Sequence, residues 1–216
     1  MASKNTPAAS AGDDAAQRRF EVLDRTVCYD GYSRLERVRV RFRLFRGGWS
    51  APVVREVFER GHAAAVLLYD PDRDRVVLVE QFRAPAIDAP GGPWVIEVVA
   101  GIIEPGETPE AVVRRESVEE TGCGFTDVAR IGEVIMTPGG SSERLTLYCG
   151  RVDSSAADGV HGLGDEGEDI RVVVMAASEA LDAVADGRIH AANAVIALQW
   201  LALNRDRLRN AWRGGG

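Results

Sequence analysis

The chain has 216 residues, 45% hydrophobic and 27% charged, a balance that suits one domain with a small appendage and enough chain to bury a core. A net charge of −7 and a pI near 5.1 exclude a general nucleic-acid binder, but not a phosphate substrate bridged by metal ions. Three cysteines argue against a disulfide framework, no run reaches the ~18 apolar residues of a membrane span, and no signal peptide is read, so a cytoplasmic location without membrane contact is expected.

Residues 1–17 are small and polar and are expected to be a disordered tail. Two strands follow, around Phe20–Tyr29 and Leu35–Arg46. In the second, Arg37, Arg39, Arg41 and Arg43 alternate with Val38, Val40, Phe42 and Leu44, the period of a half-buried strand. Such an arginine row can read phosphate, but a solvated or partner-facing edge is its commoner meaning. Gly47-Gly48 marks a hairpin turn.

Ala63–Tyr69 and Arg75–Gln81 flank a turn sequence and are apolar enough to be central strands. A loop over Ala84–Pro93 leads into a strand at Trp94–Ala100, whose apolar run is interrupted by Glu97. The next element is a helix: Thr108 is a good N-cap, Pro109 suits the first helical position, and Gly122 lies just past the end. Strands are expected at Val128–Met136, Arg144–Val152 and Ile170–Met175. Between the last two runs a long Gly/Asp-rich segment, Ser154–Asp169, of the kind that is functional or mobile. Ser178–Asp186 and Ala192–Trp212 are helical, the latter with Val195, Leu198, Leu201 and Leu208 on one face. Strands with helices on separate faces predict an α/β sandwich.

The chemistry is concentrated on the first of these helices. Glu116 and Glu120 are four apart and project from one face, with Glu119 close by. Like charges at this spacing destabilise a helix, so their clustering suggests a cation. Hard oxygen donors suit Mg²⁺, or Mn²⁺, rather than Zn²⁺. Taken alone, this octamer is more often a solvated acidic face. Its surroundings change the reading. Gly101 is followed after five residues by Glu107, after seven by Arg115-Glu116, after two by Glu119-Glu120 and after one by Gly122. Seven fixed positions match by chance less than roughly once in a million windows. Gly101 permits close backbone approach at the strand end, and Glu107 with Arg115 forms an ion pair pinning loop to helix.

This spacing is the Nudix box, and the chain is identified as resembling the Nudix hydrolases. One position departs: Ser117 stands where the family has an apolar residue, which weakens packing more than chemistry because its hydroxyl can bond back to the helix. The segments Phe58–Leu68, Val77–Arg83, Thr137–Arg144, Gly159–Val172 and Asn193–Leu201 extend the likeness to bacterial ADP-ribose pyrophosphatases, over roughly Tyr29–Trp212. The resemblance implies an α/β/α sandwich with a mixed sheet over 59–213 and a small antiparallel β element for dimerisation over 18–58. It implies hydrolysis of the ADP-ribose pyrophosphate to AMP and ribose 5-phosphate. It implies Glu116, Glu120, Glu119, Glu168 and the Ala100 carbonyl as metal ligands, and Glu166 as the base that activates water. It likewise points to Arg55, Arg83, Glu143 and Tyr32 as substrate contacts, with Tyr32 and Arg55 serving the neighbouring subunit of a homodimer. Against these stand plainer meanings: solvating acids in the loop, surface ion pairs for the arginines, a packed Tyr32. His62, His161 and His190 lack the spacing of a metal trio, and Cys123 reads as core. A hydrolase for another nucleotide sugar or a dinucleotide, and a non-catalytic ADP-ribose sensor, are the rival functions.

Overall fold

The computed structural model of the protein describes residues 19–164 and 167–212. They fall into two compact units: residues 19–60 with Thr137–Ser142, and Gly61–Met136 with residues 143–212. The segment 1–17 lies outside the described residues.

The N-terminal unit is an antiparallel sheet of β1 (Phe20–Asp30), β2 (Arg34–Phe42) and β3 (Val53–Glu59), in that order. The arginine row therefore lies on a middle strand, not on an edge. Arg41 pairs across to Glu21 at 2.6 Å, and the guanidiniums of Arg41 and Arg43 sit 4.9 and 5.7 Å from the Trp49 ring. The opposite face of β2 carries buried Glu36, met by Arg25 at 2.9 Å. The pattern of β3 does not reveal it, because Arg55 and Glu56 break the apolar alternation; Glu56 lies opposite Arg37 in the ladder, where opposite charges favour pairing. Thr137–Ser142 docks on the end of β3: Phe58 N–H donates to Gly140 O at 2.8 Å and Ser141 Oγ to Phe58 O at 3.1 Å.

The larger unit is built on one mixed sheet. Its strands are β4 (Ala63–Asp70), β5 (Arg75–Phe82), β6 (Trp94–Glu97), β7 (Val99–Ile102), β8 (Val128–Ile135), β9 (Arg144–Arg151), β10 (Val160–His161) and β11 (Ile170–Ala176). The path runs β10-β11-β5-β4-β9-β8, with β6 on β5 and β7 on β4; only the β4–β9 ladder is parallel among the described strands. The single strand expected at Trp94–Ala100 is two. The chain changes neighbour at Val98, which delivers Ala100 and Gly101 beside β4.

Period-two alternation explains the layers. Ala63, Ala65, Leu67 and Tyr69 of β4 enter one core, and Ala64, Val66 and Leu68 enter the other. The first core is covered by α2 (Ala177–Ala185) and α3 (Ala192–Trp212), through Ala180, Ala183, Leu198, Leu201 and Leu208. The second is covered by α1 (Pro109–Thr121), through Val112 and Val113. The result is an α/β/α sandwich, each fully buried Leu or Val contributing about 1.5–3 kcal/mol. Among the described residues no helix is long and apolar enough to cross a membrane.

Candidate active site

Local signals set the register of α1. Thr108 Oγ1 accepts from Ala111 N–H at 3.2 Å, Pro109 begins the helix, and Gly122 closes it in the left-handed region at φ 68°, its N–H donating to Val118 O. With these ends in place, the inner side of the helix carries Val112, Val113, Ser117, Glu120 and Thr121. Ser117 is buried and its hydroxyl donates forward to Cys123 O, tying the helix end to the following chain rather than bonding back. Thr121 Oγ1 donates to Ser117 O at 2.6 Å and accepts from Cys123 N–H at 3.2 Å. Cys123 is core, as expected.

Glu120 is the exceptional member of this row. It is 2% exposed, and its Oε2 has no hydrogen-bond partner among the described residues. Burial, and then the nearby charges of Glu116 and Glu168, push its carboxyl up to about 9, while Arg83 and the Ala100 amide pull the other way. A buried carboxylate with one oxygen unpartnered costs several kcal/mol, so at neutral pH this group either holds a proton or takes a cation.

Glu116 stands beside it, close against Gly101. A Cβ at Gly101 would overlap the Glu116 carboxylate, so only glycine allows this approach of strand end and helix. Burial also raises the Glu116 carboxyl; Arg115 opposes this, and Glu119 and Glu168 add to it. Arg115 gathers the remaining acids: its Nη1 donates to Glu116 Oε1 and Glu119 Oε2, each at 2.8 Å, and its Nε lies 3.5 Å from Glu107 Oε1. Glu107 Oε2 in turn accepts from Glu104 N–H, so the ion pair does bind loop to helix. Half-buried Glu168 approaches from the Gly/Asp-rich loop, where its N–H and side chain bond to Leu163. Glu166 lies outside the described residues.

The substrate candidates separate between the units. Arg83, half-buried at the edge of the acidic group, donates from Nε to Glu97 Oε2 at 2.7 Å. Glu143 precedes β9 in the same unit and is half-buried. Tyr32, 93% exposed, and Arg55, which donates to Val54 O, belong to the N-terminal unit. His62 contacts Arg144 and His190 contacts Gly187 O, away from the acids in role.

These residues fit a divalent cation. A buried carboxylate oxygen lacks a partner, a glycine cradle holds the second carboxylate, and every side-chain donor is a hard oxygen. Among the described residues no three His, Cys, Asp or Glu side chains are placed together so as to hold a metal ion.

The family model of the NUDIX domain matches residues 59–198. The chain belongs to the NUDIX family. The ADP-ribose pyrophosphatase of Escherichia coli (strain K12) is 47% identical over 192 residues, covering 89% of this chain and 92% of that protein. The ADP-ribose pyrophosphatase of Haemophilus influenzae is 42% identical over 201 residues, covering 92% and 93%. A GDP-mannose pyrophosphatase of Yersinia pestis is 36% identical over 160 residues, covering 73% and 79%. A crystal structure of an ADP compounds hydrolase superposes with a TM-score of 0.68 at 21% identity, over 91% of this chain and 97% of that one, and shares the fold. Two features of this NUDIX domain escape the box motif. Glu97, visible in sequence only as a charge in an apolar strand, holds Arg83. The chain around His161 and Gly162 packs on the end of α1, which no spacing rule signals.

Proposed function

We propose that the protein hydrolyses the pyrophosphate of ADP-ribose to AMP and ribose 5-phosphate, using Mg²⁺ or, in its place, Mn²⁺. The observation that carries the hydrolytic reading is the orphaned, buried Glu120 carboxylate beside Glu116 and Glu168. The substrate is supported by the names and the long alignments of the 47% and 42% identical relatives. Glu116, Glu120, Glu119, Glu168 and the Ala100 carbonyl would hold the cations, which when bound neutralise the phosphates and acidify water. Glu166 would take the proton from the attacking water. Arg83 is suited to bidentate phosphate contact, and Glu97 orients its guanidinium. Glu143, and Tyr32 and Arg55 of the N-terminal unit, complete the proposed substrate contacts.

Assembly as a homodimer is supported by β1, an edge strand whose every residue is exposed, with Phe20 at 70% and Tyr29 at 65%. Such an unpaired apolar edge calls for a cover. In that arrangement Tyr32 and Arg55 would serve the neighbouring subunit. The three cysteines are free, which fits a cytoplasmic location. The GDP-mannose pyrophosphatase relative favours a second reading, a hydrolase for another nucleotide sugar. Product analysis with Mg²⁺ decides between them: AMP and ribose 5-phosphate from ADP-ribose, at a kcat/KM well above that for GDP-mannose, is expected. The reverse ranking would refute the ADP-ribose assignment.

A further inference from the structure

Glu168 reaches the acidic group from a loop, and the structure shows what holds that loop on α1. His161 pairs with Ile170 in the β10–β11 ladder, and Ile170 is fully buried. Its Nε2–H donates to Asp158 O at 2.7 Å, which fixes the ring plane. The ring then lies on the terminal glycine of the box: a Cβ at Gly122 would stand 2.9 Å from His161 Cε1 and 3.6 Å from both ring nitrogens. One residue on, Gly162 N–H donates to Glu119 O at 3.3 Å, at the end of the helix. On its other side Gly162 is packed against Glu168, where a Cβ would come within 2.8 Å of Glu168 Cβ. Helix end, His161-Gly162 and Glu168 thus form one close stack, with glycines at both contacts. Displacement of any layer by even a methyl group moves the next.

We propose that the His161 ring, seated on Gly122, is the joint that sets Glu168 against Glu116 and Glu120, which makes His161 and Gly122 positioning residues for divalent-cation binding. The inference rests on the reading of Glu168 as a cation ligand and assigns a second role to Gly122. That glycine does more than end the helix. Asparagine also adopts the left-handed cap conformation, yet its Cβ would still lift the His161 ring.

The test is direct Mn²⁺ binding to the full-length protein without substrate, by calorimetry or by electron paramagnetic resonance of free Mn²⁺. His161→Ala and Gly122→Asn are each expected to weaken Mn²⁺ about 10-fold, the usual loss when the support of a ligand is removed. In a Glu168→Gln background the same changes are expected to cost less than about 2-fold more, because ligand and support act as a unit. His161→Phe keeps a planar ring on Gly122 and is expected to retain most of the affinity. Circular dichroism verifies folding, and Gly122→Asn gives an independent route should His161→Ala fold poorly. Equal losses with and without Glu168 would overturn the joint. Weakening by Glu168→Gln alone would also overturn it and leave Glu168 as a ligand. Wild-type affinity in all variants would remove both.

Discussion

Glu120→Gln replaces a buried carboxyl with a neutral group of nearly the same size, so it separates the electrostatic cost of Glu120 from its packing. Folding raises this carboxyl from 4.5 to about 9. The folded protein therefore keeps a proton that the unfolded chain has released, throughout the window between those values. Stability contributed at low pH is lost as pH rises through it, at about 1.4 kcal/mol per pH unit. Between roughly pH 5 and roughly pH 8 the metal-free wild type should lose ~4 kcal/mol from this group, while the Gln variant loses none of it. For a chain of this size, ~4 kcal/mol moves the thermal midpoint by about 8–16 °C. Thermal melts in chelator at the two pH values measure the effect as a gap between variant and wild type, in which other titrations cancel. Added Mg²⁺ should narrow the gap by stabilising the wild type more than the variant, which keeps the other acids of the group. Turnover of the variant should fall by about three orders of magnitude or more, as removal of a ligand whose charge the reaction requires. A gap that does not change with pH, equal stabilisation of both proteins by Mg²⁺, or near-normal turnover would each refute the reasoning.

Three further outcomes are expected. Gly101→Ala forces a methyl into the Glu116 carboxylate and should weaken Mn²⁺ about 10–100-fold with α1 intact by circular dichroism; wild-type affinity would show that the close approach is dispensable. Glu166→Gln should keep Mn²⁺ affinity while kcat drops about 10²–10⁴-fold, the usual contribution of a general base; an unchanged kcat places the base elsewhere. Ser117→Val removes the buried donor to Cys123 O and should cost about 1–3 kcal/mol, lowering the thermal midpoint; an unchanged midpoint would mean that this hydroxyl does not hold the helix end.

Much of the site was legible without coordinates because its grammar is local. The N-cap at Thr108, the terminal Gly122 and a period of 3.6 residues suffice to place Glu116, Glu119 and Glu120 on one helix, and unbroken apolar runs suffice to mark β4 and β5 as sheet interior. The arginine row was recognisable as a strand, yet its place in the middle of the N-terminal sheet depends on β3, whose own charges hide it until Arg37 stands opposite Glu56. The split of Trp94–Ile102 into β6 and β7 is likewise decided by which neighbour each half pairs with. The same limit applies to the chemistry. Sequence identified which acids share a helix, but not that Glu120 is sealed against the core, nor that Glu168 is carried to it on His161 and Gly162. Burial and contact between residues distant in the chain are properties of the whole packing, and the pKa of a carboxyl follows from them rather than from its neighbours in sequence.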